Sequence, residues 1–355
     1  MSRVENVIKA LRESKLDAIL LTNEKNRLYL TGFPSTAGAV FITGDEAWFI
    51  TDMRYIEAAR AAITGFTIEM STNARRESDI IAEIISRRGI KTVGFEEDRL
   101  PYADYNKFRE LLGAELAPAE PIIKNLRSAK DTDEVECIKK AQRITERAFD
   151  EVLGIIKPGM TEREIAAELV YRQLRAGAEA MSFEPIVVAG VRSSMPHGVP
   201  TDNEIKPGDF VTLDFGCVKE GYCSDMTRTV AVGGATGEMR EIYNIVLRAQ
   251  LTGIDAARAG VVGREIDAAA RNVIESAGYG EYFGHGFGHS LGLEIHESPN
   301  ANTAEERVMP VGAVISAEPG IYIPGKFGVR IEDLLWLREE GAVNLTECPK
   351  ELIII

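Results

Sequence analysis

The chain has 355 residues, 27% charged and 45% hydrophobic, with a formal net charge of −14. Its length suits two domains better than one core, and its acidity argues against nucleic acid or an anionic membrane as partner. No run approaches the roughly 18 apolar residues of a membrane span, and the charged opening MSRVENVIKALRESK lacks the apolar centre of a secretory signal, so a cytoplasmic location is expected.

Residues 1–122 read as an α/β unit. An amphipathic opening helix leads to the apolar run at 16–21, then to strands at 39–42 and 47–50 joined at Gly44-Asp45. Helical patterns follow at 53–62 and 77–88, with strand-like segments at 66–68 and 92–95. This alternation predicts a mixed sheet covered by helices. The stretch Ala117-Pro118-Ala119-Glu120-Pro121 predicts the domain boundary, because two close prolines cannot continue a helix or a central strand. Residues 123–355 then form the second domain, which starts with a long charged helix over 131–156 that ends at Lys157-Pro158-Gly159. Thr161-Glu162-Arg163-Glu164 has the spacing of a capping box and opens the next helix. The four cysteines, Cys137, Cys217, Cys223 and Cys348, form no CxxC pair, which fits reduced thiols.

The second domain repeats itself. Laid over residues 258–278, residues 157–177 match at Gly159, Arg163, Glu164, Ile165, Ala167, Ala176 and Gly177. A later alignment lays Pro207–Gly216 over Val311–Gly320 and sets Asp214 on Glu318. Together they indicate a duplicated unit.

Val211 to Val230 reads as two short strands folded back on each other. With Lys219-Glu220 as the loop, Asp214 and Asp225 face each other directly, their Cβ atoms about 4.5–5.5 Å apart. Like charges so placed need a shared proton, a nearby cation or a bound metal. In the second copy, Glu318 opposes Glu332 across a hairpin centred on Gly325. Four ionised carboxylates brought together repel by on the order of several kcal/mol per close pair. Two proton-sharing dyads would relieve this without histidine, and two divalent cations would relieve it as well. A lone strand aspartate or a lone histidine is more often structural. Here the mirrored acid pairs, and the confinement of every histidine to position 197 or to 285–296, favour the metals. Carboxylates with one imidazole suit Mn²⁺, Co²⁺, Fe²⁺ or Zn²⁺.

The runs SDMTRT at 224–229, GHGFGHSLGLEIHE at 284–297, EPGIYIP at 318–324 and GVRIED at 328–333 resemble the pita-bread metallopeptidases, in the branch of Xaa-Pro aminopeptidase and Xaa-Pro dipeptidase (prolidase). Thr31-Gly32-Phe33 and Thr51-Asp52-Met53-Arg54-Tyr55 resemble the N-terminal domain that this branch shares with creatinase. The resemblance implies an α+β protein in which a smaller creatinase-like α/β domain precedes a pita-bread domain with an internal pseudo-two-fold repeat. It implies two divalent ions per subunit, Mn²⁺ foremost, with a bridging hydroxide as nucleophile. Asp214 would hold one ion, Asp225 and Glu332 would bridge, and His289 and Glu318 would complete the other. Glu318 would also carry the proton. His197 and His296 would face the substrate carbonyl, His285 would stand behind the ligands, and Arg330 would support a ligand or a substrate carboxylate. The expected partners are short proline-containing peptides and a second copy of the chain.

A dipeptidase needs a cation for the free carboxylate just after proline. The segment Ser298-Pro299-Asn300-Ala301-Asn302-Thr303 offers none before Arg307, which favours the aminopeptidase over the dipeptidase. A non-enzymatic binding protein on this scaffold is the remote alternative. Such relatives typically lose ligands, and all five candidates are present here.

Overall fold

In the computed structural model, which describes residues 2–355, the strand-forming runs before residue 100 all join one sheet. Its strands are β1 (Ala18–Leu21), β2 (Ala39–Thr43), β3 (Ala47–Thr51), β4 (Thr67–Met70), β5 (Thr92–Phe95) and β6 (Glu115–Pro118), in the order β4-β3-β2-β1-β5-β6. The β1–β2 and β2–β3 pairs are antiparallel, and the other three are parallel. AVFIT and AWFIT are buried at every position, as apolar runs in the middle of a covered sheet must be. Phe41 and Trp48 pack with Ile81 and Ile85 of the helix Glu77–Arg88 to make this core.

The proline-rich stretch proved to be structured. Residues 115–118 form β6 at the sheet edge, where Pro118 is tolerated, and Pro121 sits in the first turn of the helix Glu120–Ser128, where its missing N–H costs nothing. The chain divides into compact units between Arg127 and Ser128.

The second unit is a duplication that extends to single hydrogen bonds. Helices Thr132–Leu153 and Glu162–Arg175 recur as Gly237–Ala256 and Gly263–Ser276. The Gly159 N–H donates to the Ile205 carbonyl at 3.0 Å, and that of Gly260 to Met309 at 2.9 Å. Likewise the Arg163 N–H meets the Thr201 carbonyl at 3.1 Å and the Arg264 N–H meets that of Glu305 at 3.1 Å. Isolated antiparallel bridges, Thr161 with Glu204 and Val262 with Val308, stand at matching places.

Each half contributes a sheet. The first joins Ile186–Ala189, Phe210–Phe215 and Met226–Ala231; the second has five strands, among them Gly288–Ser290, Val314–Ala317 and Asp333–Arg338. Both rest on apolar layers from their helices, around Phe149, Ile165 and Phe215 in one half and Ile242, Ile266 and Ile315 in the other. All four cysteines are free thiols.

Candidate active site

The first hairpin turns one residue later than expected. Its two-residue loop is Glu220-Gly221, with φ of 51° and 79°, and the pairs Lys219–Tyr222 and Val218–Cys223 flank it. Two-residue hairpin loops favour positive φ at both positions, and Glu220-Gly221 puts the glycine where that matters. Asp214 consequently pairs with Thr227 rather than with Asp225. Asp225 stands in the break between Tyr222–Cys223 and Met226–Ala231, still buried. Moving the loop by one residue shifts the cross-strand pairing by two, an even number, so both carboxylates stay on one face.

The second hairpin has the expected register. Pairs run from Val314–Trp336 to Ala317–Asp333 and resume from Gly320–Arg330 to Ile323–Phe327, so Glu318 and Glu332 take facing places in the gap. Gly325, at φ 76°, occupies the turn.

The two hairpins meet through Thr227. Its carbonyl accepts the Glu332 N–H at 3.1 Å, and its hydroxyl donates to Glu332 Oε2 at 2.7 Å. Arg330 spans the junction. It donates through Nη2 to Asp214 Oδ2 at 2.5 Å, through Nε to Thr227 Oγ1 at 3.1 Å and through Nη1 to the Tyr322 hydroxyl at 2.7 Å. Tyr322 in turn lies 2.8 Å from His285 Nε2. Because His285 Nδ1 faces the Gly286 carbonyl at 2.9 Å, that nitrogen carries the proton and Nε2 accepts from Tyr322.

His289 completes the cluster. Its Nε2 lies 3.6 Å from Asp225 Oδ2 and 3.4 Å from Glu318 Oε1, while Nδ1 faces the Ser290 carbonyl at 3.2 Å. The Ser316 hydroxyl donates to Glu318 Oε1 at 2.9 Å and accepts the His289 N–H at 2.9 Å, which locks the two together. Asp225, His289 and Glu332 each offer a ligand atom within 4.8 Å of the others.

The electrostatics are those of a site built for cations. Burial, then the neighbouring negative charge, raises the carboxyls of Asp225 and Glu332 well above their usual range, and burial also raises Glu318. Burial lowers His285, His289 and His296, keeping the imidazoles neutral and free to ligate or donate. Asp214 Oδ1, Asp225 Oδ1 and Glu332 Oε1 are buried with no hydrogen-bond partner among the described residues. Such orphaned acceptors are costly unless something positive meets them. With one neutral imidazole beside them, they fit divalent metal ions.

Every site residue expected from the sequence lines a single cavity of about 710 Å³, including the two more exposed histidines, His197 and His296. Phe183, Ile186, Val199 and Ile295 give it an apolar side. Sequence reasoning passed over Thr227, Ser316 and Tyr322. The first would have been found by the correct hairpin register, since it is the residue opposite Asp214.

The sequence pattern of metallopeptidase family M24 matches residues 136–339, and that of the creatinase/prolidase N-terminal domain matches residues 3–129. The chain belongs to metallopeptidase family M24. A relative, the uncharacterized peptidase YqhT of Bacillus subtilis, is 42% identical over 341 residues, 96% of each chain. Among solved structures, the Xaa-Pro dipeptidase from Bacillus anthracis is similar at a TM-score of 0.96 and 45% identity, with 99% of both chains covered. The X-Pro aminopeptidase from Thermotoga maritima is similar at a TM-score of 0.90 and 36% identity, with 100% of both covered. The fold is therefore the expected α+β arrangement, a creatinase-type N-terminal domain followed by the M24 pita-bread domain, and the protein is an enzyme of the metallopeptidase class.

Proposed function

We propose that this M24 enzyme is an Xaa-Pro aminopeptidase, releasing the residue that precedes proline at the N-terminus of short peptides. Residues 1–122 serve as the creatinase-like domain and 123–355 as the catalytic one, in a cytoplasmic homodimer. One observation supports the aminopeptidase reading over a dipeptidase. Among the described residues, Arg330 is the only lysine or arginine lining the cavity, and it is buried and bonded to Asp214. No free cation awaits a carboxylate directly after proline, so a peptide that continues past proline fits better than an Xaa-Pro dipeptide.

Asp214, Asp225, His289, Glu318 and Glu332 would hold two divalent ions, Mn²⁺ foremost, with Co²⁺, Zn²⁺ or Fe²⁺ as alternatives. The ions would acidify a water so that it is nucleophilic near neutral pH and would supply the positive charge that polarises the scissile carbonyl. The protein's own groups do the rest. His197 and His296, at the open side of the cavity, donate N–H groups to the carbonyl oxygen as it gains charge. Glu318, steadied by Ser316, takes the proton of the attacking water and delivers it to the proline nitrogen, which leaves as a secondary amine. Arg330 and the Tyr322–His285 pair hold Asp214 in place from behind. Phe183, Ile186, Val199 and Ile295 offer the apolar surface that a pyrrolidine ring requires.

The name of the Bacillus anthracis structure favours the second reading, an Xaa-Pro dipeptidase. Metal-loaded protein offered Xaa-Pro and Xaa-Pro-Yaa side by side decides between them. Preferential cleavage of the tripeptide supports the aminopeptidase, and preference for the dipeptide makes the enzyme a prolidase. Turnover of neither, with no metal bound, leaves only a binding protein.

A further inference from the structure

The segment that carries His197 to the cavity is irregular. It begins as the short 3₁₀ helix Gly190–Ser194 and continues through Pro196, His197, Val199 and Pro200, which line the cavity. One side chain gathers it. Glu162 opens the helix Glu162–Arg175, is 0% exposed and lies outside the cavity lining. Its carboxylate accepts the Ala189 N–H at 3.0 Å, Arg192 Nε at 3.0 Å, the Thr201 N–H at 2.9 Å, the Thr201 hydroxyl at 2.8 Å and Asn203 Nδ2 at 3.2 Å. These donors bracket the segment, with Ala189 before it, Arg192 within it and Thr201 and Asn203 after it. Arg192 passes the hold on, donating through Nη2 to the Val199 carbonyl at 2.8 Å.

In the second half the equivalent junction carries no side chain at the place of Glu162 and is held from its other side. Gly263 stands there in the second half, and a Cβ on it would meet Glu305 Cγ at 2.6 Å. Glu305, at the place of Thr201, is the carboxylate of that half. It accepts the Asn300 N–H at 2.9 Å, the Arg307 N–H at 3.0 Å and Arg307 Nε at 2.8 Å. Each half thus clamps one cavity-lining segment with one buried carboxylate, supplied from opposite sides of equivalent junctions. Only the segment clamped by Glu162 bears a histidine; the other presents Asn300 and Asn302.

We propose that Glu162 is a positioning residue for His197, fixing the imidazole where it meets the substrate carbonyl. The proposal rests on the role given to His197 above. Charge-assisted hydrogen bonds from both flanks hold the segment's ends at fixed separation. Without them, the backbone that carries His197 gains freedom, and its imidazole loses its aim at the reacting oxygen.

The test is a double-mutant cycle on the metal-loaded enzyme with Glu162→Gln, His197→Ala and the pair. Glu162→Gln lowers kcat by up to about a hundredfold, the scale of a catalytic group misplaced by an ångström, with KM and metal content unchanged. It also speeds amide hydrogen exchange across residues 189–203 but not across 300–307. In the His197→Ala background the same substitution costs almost nothing further. An equal loss in both backgrounds, or wild-type kcat in Glu162→Gln, overturns the proposal while leaving the role of His197 intact. Wild-type kcat in His197→Ala removes that role and the proposal with it. Should Glu162→Gln fail to fold, Arg192→Met, which cuts the branch from Glu162 to Val199, runs the same cycle with the same expected coupling.

Discussion

Stripping the metal with a chelator leaves three carboxyls in the cluster, Asp225, Glu318 and Glu332, whose affinity for protons is raised by burial and next, for Asp225, by the negative charge of Asp214 and, for Glu332, by that of Asp225. Above about pH 7, where the site histidines are neutral in both states, the folded apoprotein therefore binds more protons at this cluster than the unfolded chain. The sign follows from linkage. A carboxyl raised in the folded state contributes fully below its unfolded value, about 4, and loses that contribution as pH rises toward the folded value. Each retained proton costs about 1.4 kcal/mol per pH unit through that window. For a cooperative unit of the size of Ser128–Ile355, one such proton lowers Tm by about 3–5 °C per pH unit. Below about pH 6.5 the lowered histidines His285, His289 and His296 oppose the trend, since the unfolded chain protonates them and the folded one does not, so the fall in Tm of melts in chelator should appear between pH 7 and 8, by up to this amount. Metal displaces the protons, so with Mn²⁺ present the descent flattens and the gap between loaded and stripped protein widens with pH. Glu332→Gln removes one of the three acids and should make the stripped protein's slope shallower by up to about 1.4 kcal/mol per pH unit. A stripped-protein Tm that is flat or climbs from pH 7 to 8, unchanged by Glu332→Gln, would refute the reasoning.

Three further outcomes are expected. Asp225→Asn should prevent binding of the metal pair, because it removes the charge proposed to bridge, whereas His296→Ala should keep the metal and lose about 10²–10³ in kcat; equal metal loss in both, by elemental analysis, contradicts these roles. Arg330→Met leaves Asp214 buried without its partner and should cost about 3–5 kcal/mol in urea unfolding of the stripped protein; a loss below about 1 kcal/mol would show the pair to be dispensable. Gly288→Ala would put a Cβ 1.9 Å from the Ser316 carbonyl oxygen. It should push away the strand that carries His289 and lower metal affinity, and wild-type affinity would show that the strand yields at no cost to the site.

Much of this was legible in the chain because the duplication repeats its signals. Glu318 and Glu332 could be set opposite each other since the Pro324-Gly325-Lys326 turn has one obvious centre. The companion hairpin misled, because Lys219-Glu220-Gly221 permits two loops and only the backbone preference at Gly221 decides between them. Two helices left no apolar stripe to find. Tyr102–Leu111 buries only Phe108, and Glu24–Thr31 depends on the Asn23 side chain, which caps the N–H groups of Lys25 and Asn26. Pro118 and Pro121 were read as breakers, although an edge strand and a first helical turn both accept them. The grip of Glu162 was hidden for a different reason. Its partners lie from Ala189 to Asn203, and nothing local at Thr161-Glu162 signals them beyond an ordinary capping box.

The most direct test of the account is anomalous diffraction from crystals of the Mn²⁺-loaded protein, recorded at the manganese edge. The account predicts two peaks per chain, enclosed by Asp214, Asp225, His289, Glu318 and Glu332. A single peak, a peak pair elsewhere in the chain, or none at all in protein that still cleaves Xaa-Pro-Yaa would contradict it.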